Sequence, residues 1–173
     1  YTDEHGVVSS LKEKEKTTQG SSQTQKLIGG GCDGCELMYE GMPEIISSID
    51  TSAGWFETGE KLLVTGIVLK LNGKTPAKDV IIYYWQTDNN GMYSPASDMN
   101  KKALRHGHIR GWVKSDSQGR YEIYTIRPMP YPGENIPAHI HISIKEAGLP
   151  NEYYTDELVF DDDKKLTSAE RKK

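Results

Sequence analysis

Short apolar runs separated by turn residues fill the middle of the chain, and most of them alternate in the period of two that a half-buried strand requires. Residues 62–71 form the first such run and stop at Asn72-Gly73, a turn pair. Residues 79–86 form a second, closed by the polar turn 87–91. Residues 109–114 and 120–126 flank a turn at 115–119, and Pro128 ends the fourth run. Residues 138–145 and 157–160 complete the set. The spacing of these runs predicts an all-β domain, a single β-sandwich of the transthyretin-like (prealbumin-like) kind over residues 28–163. No period of 20 to 50 residues recurs, which excludes a solenoid or a propeller.

The ends differ in composition. Residues 1–27 carry the charge run Lys12-Glu13-Lys14-Glu15-Lys16 and then a Thr/Gln/Ser/Gly stretch, too polar to bury a core alone. A mobile arm is expected there, or one that orders against a partner subunit in a homo-oligomer. Residues 164–173 form a charged tail, with a short helix expected from Thr167 or Ser168.

At 173 residues the chain suits one domain. A net charge of −4 and a pI near 5.8 argue against nucleic acid as a partner, because no dense Lys/Arg face is present. No apolar run approaches the roughly 20 residues of a membrane span; residues 62–71 are broken by Thr65, Gly66 and Lys70. The first residue is Tyr1, so a processed or trimmed form is expected, with any signal peptide upstream. Cys32 and Cys35 lack the second pair a zinc ribbon needs, leaving a small disulfide loop, two ordinary thiols or a redox pair. The polar arm, the tyrosine content and this close pair favour a secreted or periplasmic home, and none of them excludes the cytoplasm.

The candidate chemistry is concentrated between residues 131 and 141. His139 and His141 flank Ile140, and alternation with Ile142 and Ile144 puts both imidazoles on one strand face, where two rings can chelate one ion. Two partly buried, hydrogen-bonded histidines give the same pattern. A cupin-type site, which the spacing Gly133, His139, His141, Glu146 suggests, requires a further His downstream, and none follows His141. The second His-x-His pair, His106 and His108, reads as a pocket wall or a solvated loop.

Four segments in order carry a more specific signal: Tyr83 to Tyr93 with Trp85-Gln86 and Gly91, Arg110 to Tyr121, Thr125-Ile126-Arg127-Pro128-Met129-Pro130-Tyr131, and Pro137-Ala138-His139-Ile140-His141. Together, over about residues 62–160, they resemble the intradiol ring-cleavage dioxygenases, of which protocatechuate 3,4-dioxygenase and catechol 1,2-dioxygenase are members. The resemblance implies a β-sandwich that holds a non-haem Fe(III) through Tyr93, Tyr131, His139 and His141, with a catechol and O2 as substrates. It implies further that the catechol binds through both oxygens and displaces Tyr93, and that its ring opens between the hydroxyl-bearing carbons to a muconate-type product. A phenol of pKa near 10 ligates at neutral pH only against a strong Lewis acid, and hard oxygen donors favour the ferric state. Tyr83, Tyr84, Tyr121, Tyr124, Tyr153 and Tyr154 read instead as sheet residues with wet hydroxyls.

The chain departs from the family pattern in one place. Where members carry an arginine three residues before the first histidine, this chain has Ile136. Arg127 is the first candidate for the missing cation, with Arg105 and Arg110 behind it, and His106 or His108 could relay protons. Only seven residues separate Tyr131 from His139, which predicts an open pocket. A non-catalytic transthyretin-like binding or spacer module is the competing reading. It accounts for strands and turns but gives no reason for Tyr131 beside the two histidines, and bound iron would separate the two.

Overall fold

A computed structural model describes Gly30, residues 34–169 and Arg171. The polar arm expected over residues 1–27, and Cys32, lie outside the described residues. The described chain is mostly strand, in two sheets: β1 (Ile49–Thr51), β2 (Lys61–Ile67), β3 (Ile81–Gln86), β4 (Arg110–Lys114), β5 (Arg120–Ile126), β6 (His139–Lys145), β7 (Tyr153–Tyr154) and β8 (Leu158–Val159). Three short 3-10 helices interrupt them at Cys35–Tyr39, Ala53–Phe56 and Lys101–His106. One sheet has the order β1-β5-β2; the other has β4-β3-β6-β7, with β8 also pairing β6.

Alternation sorts the side chains. On β2, Leu62 and Val64 turn inward while Leu63 and Ile67 face out. On β6, Ile140, Ile142 and Ile144 enter the core, which they share with Ile82 and Tyr84 of β3, Val113 of β4 and Ile123 of β5. Residues of both sheets therefore meet in one apolar cluster, each buried aliphatic side chain contributing roughly 1.5–3 kcal/mol. His139 and His141 fall on the other face of β6 by the same rule.

β3 is the strand on which both faces are covered. Tyr83 and Trp85 form a second cluster with Met38, and Tyr93, Trp112 and Tyr154 pack against it. The expectation of wet hydroxyls fails on this strand, because Tyr83 and Tyr84 are 0% exposed. Tyr84 donates to Asp50 Oδ2 (2.7 Å), and the Tyr83 hydroxyl meets His106 Nδ1 (2.9 Å) and accepts from Arg110 Nη1 (3.1 Å). Burial raises Tyr83 to about 12, against the opposing pull of Arg110.

The run at 62–71 overshoots its strand. Its partner β5 begins at Arg120, opposite Ile67, and residues beyond Val68, whose N–H donates to Gly119 O (2.8 Å), have no ladder to continue. They turn instead into a small hairpin in which Leu69 bridges Pro76 and Asn72 Oδ1 accepts the N–H groups of Lys74 and Thr75. β1 and β7 were not legible as strands, being three and two residues long. In the tail, turns lead to a helical residue at Arg171, whose N donates to Thr167 O at 3.1 Å. Cys35 is buried and disulfide-bonded, which selects the disulfide reading for it. Among the described residues no helix is long and apolar enough to cross a membrane.

Candidate metal centre

β6 delivers both imidazoles. His139 Nδ1 lies 2.8 Å from Pro137 O, and a carbonyl only accepts, so the proton is on Nδ1 and the Nε2 lone pair points away from it. His141 Nδ1 lies 2.8 Å from the Tyr154 hydroxyl, which donates to Glu157 Oε1 at 2.5 Å. With its own proton committed to the carboxylate, Tyr154 accepts from His141, and this leaves Nε2 of His141 as a lone pair too. The indole of Trp85 stacks on the His141 ring at 4.8 Å and fixes its plane.

Tyr93 arrives on a turn built by Asp88. Its carboxylate accepts from the N–H groups of Asn90 (2.7 Å) and Met92 (3.1 Å) and from the Ser94 hydroxyl (2.6 Å). Burial acts to raise Asp88, but these donors outweigh it and hold the carboxyl below its usual range. Gly91 completes the turn at φ +75, where a Cβ would come within 2.4 Å of Pro130 O. The same turn is tied to the segment that carries Tyr131: Met129 N donates to Asp88 O (3.3 Å) and Thr87 Oγ1 to Met129 O (2.6 Å).

The four expected ligands come together. Tyr93 Oη is 2.6 Å from Tyr131 Oη and 2.8 Å from His141 Nε2; Tyr131 Oη is 3.2 Å from His139 Nε2 and 3.4 Å from His141 Nε2. Two phenol oxygens and two unprotonated nitrogens thus point at one another. Burial raises both phenols, Tyr93 strongly, and lowers His141 to about 4, so these three groups are neutral on their own at pH 7. The donor set fits one hard, highly charged cation, which alone could remove the phenol protons in so dry a place. Among the described residues no group of three or more His, Cys, Asp or Glu could hold a metal; the tyrosines make this cluster a different kind of candidate.

A cavity of about 280 Å³ opens beside these atoms. Tyr131, His139 and His141 line it together with Ile136, Pro137, Val159 and Glu157. Of the two phenols, Tyr131 lines the cavity and Tyr93 does not. Arg127 does not line it either. Its guanidinium makes a bidentate pair with Asp162 (2.8 and 2.5 Å) and stacks on Phe160 at 4.4 Å. Arg110 is spent on Leu37 O, Glu40 O and Tyr83, and Arg105 is likewise absent from the lining.

The other two histidines separate. His106 is buried, stacked on Trp85 at 4.2 Å, and lowered to about 3 by burial first and then by Arg105 and Arg110. His108 sits between Ser94 O (2.6 Å) and Glu57 Oε1, two acceptors, so it needs both ring protons. Burial opposes that charge and the two partners overcome it, raising His108 above its ordinary value. Tyr154, Glu157 and Trp85 are the residues of this neighbourhood that the sequence did not reveal as such.

A family model described as Dioxygenase matches residues 46–170. The chain is 35% identical over 92 residues to the protocatechuate 3,4-dioxygenase beta chain of Burkholderia cepacia, which covers 50% of this chain and 39% of that one. The hydroxyquinol 1,2-dioxygenase structure of Pseudomonas putida superposes with a TM-score of 0.58 at 25% identity, over 83% of this chain and 52% of the other. An intradiol ring-cleavage dioxygenase from Tetranychus urticae does so at 0.53 and 25%, over 70% and 60%. This chain therefore spans only about half the length of these relatives. The family match runs through every strand from β1 to β8 and takes in both tyrosine-bearing turns and the paired histidines, and the chain belongs to the intradiol ring-cleavage dioxygenase family.

Proposed function

We propose that this chain is an intradiol dioxygenase that opens a catechol-type ring between its hydroxyl-bearing carbons with O2. Its two sheets are read as one transthyretin-like sandwich over residues 28–163, with Fe(III) held by Tyr93, Tyr131, His139 and His141. The convergence of two phenol oxygens and two Nε2 lone pairs within 2.6–3.4 Å carries this reading. A spacer module would have no use for it.

When bound, ferric iron would turn both phenols into phenolates and withdraw electron density from a chelated catechol, so that O2 can attack the ring. The protein's own groups do the rest. Pro137 O and Tyr154 keep the Nδ1 protons of the two histidines away from the centre. Tyr131, the phenol on the cavity side, is placed for its Oη to take up a proton from an entering catechol hydroxyl. Ile136, Pro137 and Val159 present an apolar wall to the ring, and the cavity, close to the roughly 300 Å³ lower end for small-molecule sites, suits a single ring. Arg127, locked to Asp162, positions the segment leading to Tyr131 rather than touching substrate.

The visible spectrum of the iron-loaded protein tests this. A broad phenolate-to-iron band that moves to longer wavelength on anaerobic addition of catechol is expected, and Tyr131→Phe should shift or weaken it. A protein that stays colourless with iron would sink the reading and return the chain to the spacer alternative. An unchanged band in Tyr131→Phe would move the ligand elsewhere.

A further inference from the structure

We propose, resting on the ring-cleavage reading above, that Glu157 sets the substrate class of this cavity: catechols with uncharged or cationic substituents enter, and carboxylated catechols are rejected. Apart from the candidate ligands, the lining consists of three apolar residues and this one carboxylate. No Lys or Arg lines the cavity among the described residues. Two cations on neighbouring segments are committed elsewhere, Arg127 to Asp162 and Lys165 to the backbone oxygen of Glu134.

The chemistry follows from where a substituent must go. Chelation uses only the two adjacent hydroxyls of a catechol, so a ring substituent is pushed toward the remainder of the lining. A carboxylate there meets two costs. The side chains of Ile136, Pro137 and Val159 have no donor to replace its lost water, and Glu157 repels it. Glu157 cannot step aside freely, because its Oε1 accepts from Tyr154 at 2.5 Å. An ammonium substituent is favoured by the same charge, and a neutral one is indifferent to it. Since Glu157 is 39% exposed on its side chain, water and salt screen the effect, so it should be moderate and ionic-strength dependent.

The test is an anaerobic titration of the iron-loaded chain with catechol, 3,4-dihydroxybenzoate, methyl 3,4-dihydroxybenzoate and dopamine, each Kd being read from the visible band. The acid and its methyl ester have nearly one shape and differ in charge, so their ratio isolates electrostatics from fit. The acid is expected to bind at least about tenfold more weakly than the ester, and the gap should shrink as salt rises. Dopamine should bind at least as tightly as the ester at low salt. In Glu157→Gln, which keeps an acceptor for Tyr154, the acid-to-ester gap should close to about threefold or less. Equal binding of acid and ester by the unaltered chain, or a gap that survives in Glu157→Gln, would overturn the assignment while leaving the ring-cleavage reading intact. Failure of all four compounds to perturb the band would remove that reading and this assignment with it.

Discussion

Tyr154 decides which nitrogen of His141 is free. Its hydroxyl is donor to Glu157 and acceptor from His141 Nδ1–H, a two-link chain that fixes the imidazole tautomer and turns Nε2 toward Tyr93. In Tyr154→Phe the Nδ1 proton would face Glu157 across 3.7 Å with nothing between. Iron affinity is expected to fall about 10- to 100-fold, with the fold retained. Iron retention against a graded chelator measures this, and retention equal to that of the unaltered chain would show that the tautomer is fixed by something else. The contrast with Tyr93 and Tyr131 explains what was legible at this scale. Those two follow turn residues inside recognisable segments, whereas Tyr154 earns its role only because β7 pairs with β6, placing it opposite Ser143, eleven residues away in sequence. No local pattern encodes that pairing.

The turn between β3 and Tyr93 is the element that couples the two phenols. Asp88 gathers the turn's N–H groups, and Gly91 lets the backbone pass against Pro130 on the way to Tyr131. Gly91→Ala would force a side chain into a left-handed conformation and into Pro130 O at once. A loss of roughly 2 kcal/mol or more is expected, with a weakened iron band because Tyr93 and Tyr131 no longer meet. Urea midpoint and band intensity check the two parts separately; an unaltered band would mean that the turn and the 128–131 segment are independent. Elements such as β5 and β6 could be read from the sequence because alternation, turn residues and length agreed. The end of β2 could not, since Val68 to Leu71 continue the alternation and only the start of β5 at Arg120 ends the ladder. β1 escaped for a related reason: three residues paired in parallel with β5, with Ile49 exposed, carry no alternation to recognise.

The molecule as a whole separates stability from chemistry across one sheet: the inner face of β6 holds isoleucines in the shared core, and its outer face holds the candidate ligands. β3 joins the two, and on its outer face Trp85 is stacked between His106 and His141. This column depends on neutral imidazoles. His106 is buried with its Nδ1 accepting from Tyr83, and its pKa falls from 6.5 to about 3 in the folded state. A depressed folded pKa means that the unfolded chain binds more protons between about 3 and 6.5. The stabilisation is therefore complete above pH 6.5 and is lost as pH falls through that window. By pH 5 the loss attributable to His106 alone is about 2 kcal/mol, a sizeable part of a typical folding free energy. His108 works in the other direction, its contribution being complete below 6.5 and lost as pH rises through its elevated folded pKa, so it does not produce a decline on acidification. Metal-free protein should show a urea midpoint that drops from pH 7 to pH 5. His106→Phe preserves the stack on Trp85 but deprives Tyr83 of its acceptor, a cost of about 1–3 kcal/mol at either pH. The variant is expected to be less stable at pH 7 yet to lose about 2 kcal/mol less than the unaltered chain on going to pH 5. An identical drop in the two proteins would show that His106 is not held neutral, and that the stacked column tolerates a charge beside Trp85.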